Sequence, residues 1–563
     1  DDLEIFDTAY NKNGFIKLLL HTITEFKMYD IGLDDLQIME EKWQSANKEQ
    51  PLSKKLADIS LVYEAMNQFC LNKYTDPIDG LQFLASSIED GNFLQDSLIF
   101  IDGFIGFTPQ EEAVLAAMMK KSAQIEITLT LDAENMAEEL GPEDVFYPIW
   151  QTYQRFLALA AENRIGNCLI EKPLLLFGQQ GRFSGNKELA FLEKELFPLT
   201  GRKKYPQKLN NIFLWTALNK RAEIEMVGKE ILRLIREDGW DYRDISIISR
   251  NSALYENDLQ MIFKDLQIPY FLDIKKPLLY HPLIELLRGV LDLLVEKNHY
   301  PYLFRYLKNP LSPLTLEETD ILENYCLAAG IRHYHWQKDK EWTFWPFSLG
   351  DKFDETAKED NLLYINQLKV KACREIWDLK EKLAFSSGII QFSQALQEFL
   401  SALEIEEKLL AWSKEDLLHG AGEEAAVNRQ VYDDILALLA EAEAFLADSA
   451  LELEQIVSIL DAGLANMSLK LIPPGLDQVF VASLDRSRNP QVKIAFVIGV
   501  NAGELPGKIS GEGIFNNQER DILREEGWQL APDSNKKQLA ENFLVYTALT
   551  RCEEKLYISY KLS

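Results

Sequence analysis

Unbroken apolar runs that end on a polar residue recur along this chain, and helical periodicity fills the intervals between them. Leu98-Ile99-Phe100-Ile101 runs straight into Asp102, the pattern of a buried parallel strand with a carboxylate at its end. Thr108-Pro109-Gln110-Glu111-Glu112 follows. It predicts a helix start, with Thr as N-cap, Pro at the first position and acids in the first turn. Gln124 to Thr130 predicts a second strand, and strand–helix–strand order is an α/β sign. Before this unit, residues 1–95 read as helices, with Leu61, Met66 and Phe69 at roughly helical spacing.

A second α/β unit begins after the Pro-, Gly- and Lys-containing stretch 195–210. Ile212 to Trp215 predicts a strand. Glu223 to Glu237 predicts a helix with Val227, Ile231 and Leu234 on one face and Gly239 as its stop. Ile245 to Arg250 predicts the next strand. From about 283 to 470 the pattern is almost wholly helical. Val431, Ile435, Leu438, Ala442 and Phe445 keep one face, and Ser449-x-x-Glu452 reads as a capping box. Strands resume at Gln478–Leu484 and Ile494–Gly499, and the chain closes on a strand over Lys555–Tyr560. A long helical insert thus interrupts the second α/β unit.

The 563 residues exceed one core, so several domains are expected. No apolar run is long enough to span a bilayer as a helix. The five cysteines, at 70, 168, 326, 373 and 552, are too scattered for a CxxC metal site or a disulfide framework. They fit a reducing cytoplasm, which is the expected location. His333-x-His335 is a weak metal signal. The net charge of −30 disfavours non-specific nucleic-acid binding by the whole surface, though not by a local groove. The densest basic cluster, Arg202-Lys203-Lys204 with Lys208, reads as a solvated linker.

Asp102 is placed as a magnesium-holding strand-end carboxylate would be. The next residue, where an ATPase commonly has its catalytic Glu, is Gly103. A phosphate loop needs GxxxxGK[ST]. Gly178 to Lys187 has the wrong glycine spacing. Gly503 to Ile509 is one residue short, and Ile509 has no hydroxyl for magnesium. Neither is a phosphate loop.

The closing residues Tyr546-Thr547-Ala548-Leu549-Thr550-Arg551, with the strand after them, resemble the last motif of UvrD-like superfamily 1 helicases. The resemblance implies that Arg551 reaches a nucleotide γ-phosphate, and Arg250, ending ISIISR, looks like a second phosphate-sensing arginine. HPLIELL (281–287) is similar to the start of the helical 2B insert. IFIDGFIGFTPQE (99–111) and LDRSRNPQVKIAFVIGVNAGELP (484–506) are closer still to the B subunit of the AddAB (RexAB) helicase–nucleases. There DGF stands in place of Asp-Glu. The altered fifth motif carries Asp485, Arg486, Arg488 and Gln491, with Arg488-Asn489-Pro490-Gln491 where active relatives have Lys-Gly-Leu-Glu.

This resemblance covers 55 to 563. It implies two RecA-like (P-loop NTPase-like) parallel-sheet α/β domains with large helical insertions. Residues 1–205 would be the remainder of domain 1A with its 1B part. Residues 206–282 and 473–563 would form domain 2A, and 283–472 the 2B-like insert. The family's ATP, Mg²⁺ and 4Fe–4S cluster belong to regions not found in this sequence, which looks like an internal fragment. The partners it implies are an AddA-like (RexA-like) subunit and DNA, as double-strand ends and a channelled single strand. The function it implies is resection of double-strand breaks with scanning for Chi, this chain being a non-motor module without catalytic residues of its own. A working UvrD-like helicase fragment and a helical scaffold without a DNA role are the rivals. A bland reading stands beside each site residue. For Asp102 it is a helix cap or turn former after a core strand, for Arg551 a surface arginine in a helix, and for Arg250 a strand-end arginine paired with a nearby acid such as Asp244.

Overall fold

The computed structural model describes residues 3–7, 12–45, 51–71, 76–132, 139–162, 174, 183, 185–197, 203–273, 275–295, 299–346, 355–384, 388–449, 451–470, 477–484, 492–509 and 513–562. The chain forms two compact units, Asp1–Ile274 with Pro473–Ser563, and Lys275–Ile472.

The strands are β1 (Leu98–Ile101), β2 (Gln124–Ile127), β3 (Ile212–Ala217), β4 (Ile245–Ser249), β5 (Tyr270–Asp273), β6 (Lys275–Pro277), β7 (Ser468–Lys470), β8 (Val479–Ser483), β9 (Val492–Val497) and β10 (Cys552–Lys561). Among the described residues, six of them make one parallel sheet in the order β3-β10-β9-β4-β8-β5. Ile247 pairs with Val481 on one side and Phe496 on the other. The strands expected at Ile245–Arg250, Gln478–Leu484 and Ile494–Gly499 therefore lie side by side in one sheet. All five residues of β4 are buried, because helices cover both faces.

Asn219 caps the helix Lys220–Glu237 by accepting from the Ala222 N–H. That helix buries Ile224, Val227, Ile231 and Leu234 against Ile247, Phe496 and Tyr557. Gly239, at φ +74°, ends it in a conformation that favours glycine. The opposite face, with Ile248, Val497 and Leu556, packs on Leu189, Ala548 and Leu549 from helices Lys187–Glu195 and Ser534–Leu549. The Tyr557 ring is stacked between Phe213 and Phe496, with centroids 4.6 and 4.5 Å away.

β1 and β2 form a separate parallel pair, joined through the helix Pro109–Lys121. Thr108 and Glu111 make the reciprocal capping bonds that open this helix, as its sequence predicts. Ile99, Ile101, Ile125 and Ile127 face Leu115 and Phe156. Leu98 and Phe100, on the other face, are exposed.

The N-terminal helices differ from the sequence expectation in their buried face. On Pro51–Cys70 the buried apolar positions are Leu52, Leu56, Ile59 and Tyr63. Leu61 and Phe69 are exposed, because the 52-56-59-63 stripe meets its packing partners first. Those partners include Phe26 and, from the far end of the chain, Phe515 and Leu523. Arg520 and Glu25 clamp this join with bonds of 2.6 and 2.7 Å.

The second unit is helical. Its two ends meet in an antiparallel ribbon, β6 with β7. Its core includes Leu287, Val290, Tyr306, Phe392, Leu400, Val431 and Ile435. On helix Gly422–Leu446 the buried face runs through Leu439, while Phe445 is exposed. The expected Ser449 cap is also corrected. The next helix is Leu453–Asn466, capped by Glu452 with Gln455 in return. The Ser449 N–H instead bonds the Leu446 carbonyl, continuing the preceding helix's end. Among the described residues, no helix is long and apolar enough to cross a membrane.

Candidate functional site

Asp102 leaves β1 exposed to solvent, and the Thr128 hydroxyl beyond β2 donates to its Oδ1. The Thr128 N–H bonds the Ile101 carbonyl at 2.9 Å, so the ends of β1 and β2 are tied around the carboxylate. Gly103 has φ +75°, and a Cβ added there would meet no atom within 4 Å. The turn after the strand therefore uses a left-handed conformation that a glutamate would adopt only under strain.

Arg250 leaves the carboxyl end of β4. Its Nε lies 3.1 Å from both oxygens of Glu541, and its Nη2 lies 2.9 Å from Oε1. The expected partner Asp244 instead pairs with Lys493 of the adjacent strand β9 at 2.9 Å. The Glu541 side chain is only 3% exposed, and it also accepts from the Gly507 N–H at 2.8 Å. Three residues earlier on the same helix, Gln538 donates to the Gly507 carbonyl and accepts from the Ile509 N–H. The Gly503–Ile509 loop therefore turns two backbone N–H groups toward side chains of this helix. That is a structural use of the donors a phosphate loop would present.

Arg551 is half-buried between the helix Ser534–Leu549 and β10. The Thr550 hydroxyl donates to the Tyr546 carbonyl at 2.7 Å, and the Tyr546 hydroxyl to Glu193 at 2.9 Å, fixing the junction. Because the sheet is parallel, Arg551 stands where strands begin and Arg250 where they end. The structure brings Arg250 to Glu541, sets Arg551 at the opposite edge and holds Asp102 on the separate pair β1–β2. Asp485, Arg486, Arg488 and Gln491 lie outside the described residues; their neighbours Leu484 and Val492 are buried.

Sequence reasoning missed Glu541 and Glu223. Glu223 is 1% exposed, and it accepts from the Tyr255 hydroxyl (3.1 Å), the Gly499 N–H (3.0 Å) and the Ser559 hydroxyl (2.6 Å). Burial, with the nearby Glu223 and Glu504 carboxylates, drives the Tyr255 hydroxyl well above its ordinary value. An acid in the first turn of a helix was the only signal for Glu223. Nothing local marked Glu541.

Among the described residues, neither implied group meets a complete set of side chains to hold it. For ATP and Mg²⁺, Gly103 offers no base and Arg250 is engaged by a buried carboxylate. For an iron–sulfur cluster, the described residues contain no group of three or more metal-ligating side chains. Cys326, Cys373 and Cys552 are buried thiols outside any disulfide. The His335 Nδ1 accepts from the Arg332 N–H, a local turn bond.

The six-stranded parallel sheet with helices on both faces, its last strand opened by Thr550-Arg551, is the fold of a UvrD-like helicase C-terminal domain. The chain belongs to the UvrD-like helicase family: residues 186–563 match the UvrD-like helicase C-terminal domain, and residues 1–193 match the ADDB N-terminal family. It is similar throughout to proteins named as the B subunit of an ATP-dependent helicase/deoxyribonuclease. That of Desulforamulus reducens is 36% identical over 564 residues, covering 99% of this chain and 48% of the relative. That of Moorella thermoacetica is 37% identical over 577 residues, covering 100% and 49%. That of Clostridium acetobutylicum is 32% identical over 569 residues, covering 100% and 48%. The chain spans about half the length of these relatives.

Proposed function

We propose that this chain is the helicase-like, non-motor part of the B subunit of a heterodimeric ATP-dependent helicase/deoxyribonuclease. In that complex it guides DNA during resection of double-strand breaks and takes part in the response to Chi, while an AddA-like subunit supplies the motor. The observation that supports the reading is the state of two residues that the resemblance assigns to a nucleotide site. Asp102 is followed by a left-handed glycine, and Arg250 is bound by Glu541. The similarity to helicase/deoxyribonuclease B subunits over the full chain supports the same reading. The chain's own residues then serve to hold a RecA-like scaffold, and a strand can be held by phosphate contacts and base stacking without hydrolysis. No hydrolytic step is assigned to any of them.

ATP turnover by the purified chain, with and without single-stranded DNA, tests this. No turnover above background is expected. Turnover that follows the protein through purification and is abolished by Asp102→Ala would refute the reading. DNA binding at low salt, weakening steeply as salt rises, is expected as well. Its absence would favour a scaffold without a DNA role.

A further inference from the structure

Helices Asn13–Met28, Pro51–Cys70 and Gly80–Asp90 and the first turn of Pro109–Lys121 surround a cavity of about 500 Å³. Asp102, Arg250, Glu541 and Arg551 are not among its lining residues. Lys27, 7% exposed, enters it with Nζ 2.7 Å from Asp76 and 3.0 Å from Asp79. Asp30 adds a third carboxylate, held by a 3.0 Å bond from the Gln82 amide. One cation against three carboxylates leaves the cavity negative. Glu111, in the first turn of the fourth helix, offsets the positive end of that helix.

The second observation is Gln110. It lines this cavity at 2% exposure, and neither its amide oxygen nor its amide nitrogen has a partner. A buried amide without partners is costly and calls for a ligand or water atom beside it. The described residues present no group of three or more side chains placed to hold a metal ion. A cavity this size also exceeds what a bare ion fills. Three carboxylates exclude an anion. An organic cation fits both the charge and the size, and its apolar stem can lie on the buried Ile31 and the Tyr63 ring at the wall.

We propose that this cavity binds a primary alkylammonium group, with Asp30 and Asp79 as its counter-charges and the Gln110 carbonyl as an acceptor. The ammonium could come from a free polyamine or from a lysine side chain of a partner polypeptide.

Isothermal titration of the chain at low salt, with cadaverine and with Nα-acetyl-lysine amide as separate probes, tests the proposal. Binding is expected for at least one probe. Cadaverine alone points to a free amine, and a preference for the lysine amide points to a polypeptide. Asp30→Asn should weaken binding about tenfold, the loss of one charge-assisted bond. Asparagine tolerates the left-handed backbone of Asp30, at φ 58°, so the fold should persist. If that variant unfolds, Asp79→Asn, at a half-exposed position, reads the same charge. Gln110→Leu should also weaken binding. No heat from either probe at millimolar concentration would overturn the proposal, as would binding unchanged in the Asp30, Asp79 and Gln110 variants. Equal competition by Mg²⁺ would also overturn it, by showing only a diffuse acidic surface.

Discussion

Arg250 and Glu541, 291 residues apart, form a two-pronged ion pair that ties the end of β4 to the last long helix. The carboxylate is 3% exposed and the guanidinium 25%. The two halves are therefore unequal. Arg250→Ala strands a buried charge that keeps only the Gly507 N–H, and should cost about 3 kcal/mol in urea unfolding. Glu541→Ala leaves a guanidinium that water can reach, and should cost about 1–2 kcal/mol. The double variant should be less destabilised than the sum, since the stranded charge is gone. Additive losses would mean the pair is not coupled.

On the proposed reading, Gly103 takes the place of a motor's catalytic glutamate. Gly103→Glu should not create ATP turnover, because the new side chain would sit in a left-handed turn and this sequence holds no phosphate loop to bring the nucleotide. It should cost about 1 kcal/mol for that backbone conformation. An ATPase assay and a urea titration on one preparation check both outcomes. Turnover gained by this single change would contradict the site description.

Glu223 gathers three donors from the Tyr255, Gly499 and Ser559 positions. Glu223→Ala leaves all three buried without their acceptor and should cost about 3 kcal/mol or more. Glu223→Gln keeps one acceptor oxygen and should cost less. Equal losses would show that packing volume, not hydrogen bonding, is what the side chain supplies.

His281 gives the helical unit a pH response. Its Nδ1 accepts from the Leu283 N–H, so Nε2 carries the proton and meets the Asn428 side-chain oxygen at 3.0 Å. Burial lowers the imidazole's pKa, with the Asn428 bond opposing. The unfolded ring takes a proton near pH 6.5, and the folded ring takes it only at lower pH. Stability is therefore full above about pH 6.5 and falls as pH drops through the folded value, by at most about 1.4 kcal/mol per pH unit. His281→Gln should flatten this part of the profile in urea midpoints between about pH 7.5 and 5, values that bracket the ordinary pKa. An unchanged slope would place the response elsewhere.

Much of the fold was legible because its signals are local. ISIIS and the run around Ile494–Ile498 read as strands buried on both faces, and they pair in one sheet. Thr108-Pro109 wrote its own cap. The misreadings arose where packing chose among similar residues. Leu61 and Leu56 are equally apolar, but only Leu56 meets Phe26 and Phe515 in the core. Ser449 and Glu452 can both cap a helix, and the preceding helix end took Ser449. Arg250 was matched to Asp244 by nearness in sequence, yet Lys493 on the adjacent strand claims Asp244. Glu541 was out of reach because nothing local distinguishes one acid on a helix from another. The pairing exists only once β4 and the last helix are folded against each other.

The most direct test of the non-motor reading is helicase activity of the full heterodimer carrying Arg551→Ala in this chain. The account predicts bulk unwinding close to that of the unaltered complex, because on the proposed reading a partner subunit drives it. Any defect should fall on the response to Chi. Unwinding abolished while the complex remains folded and assembled would show that this chain is a motor, and would contradict the account.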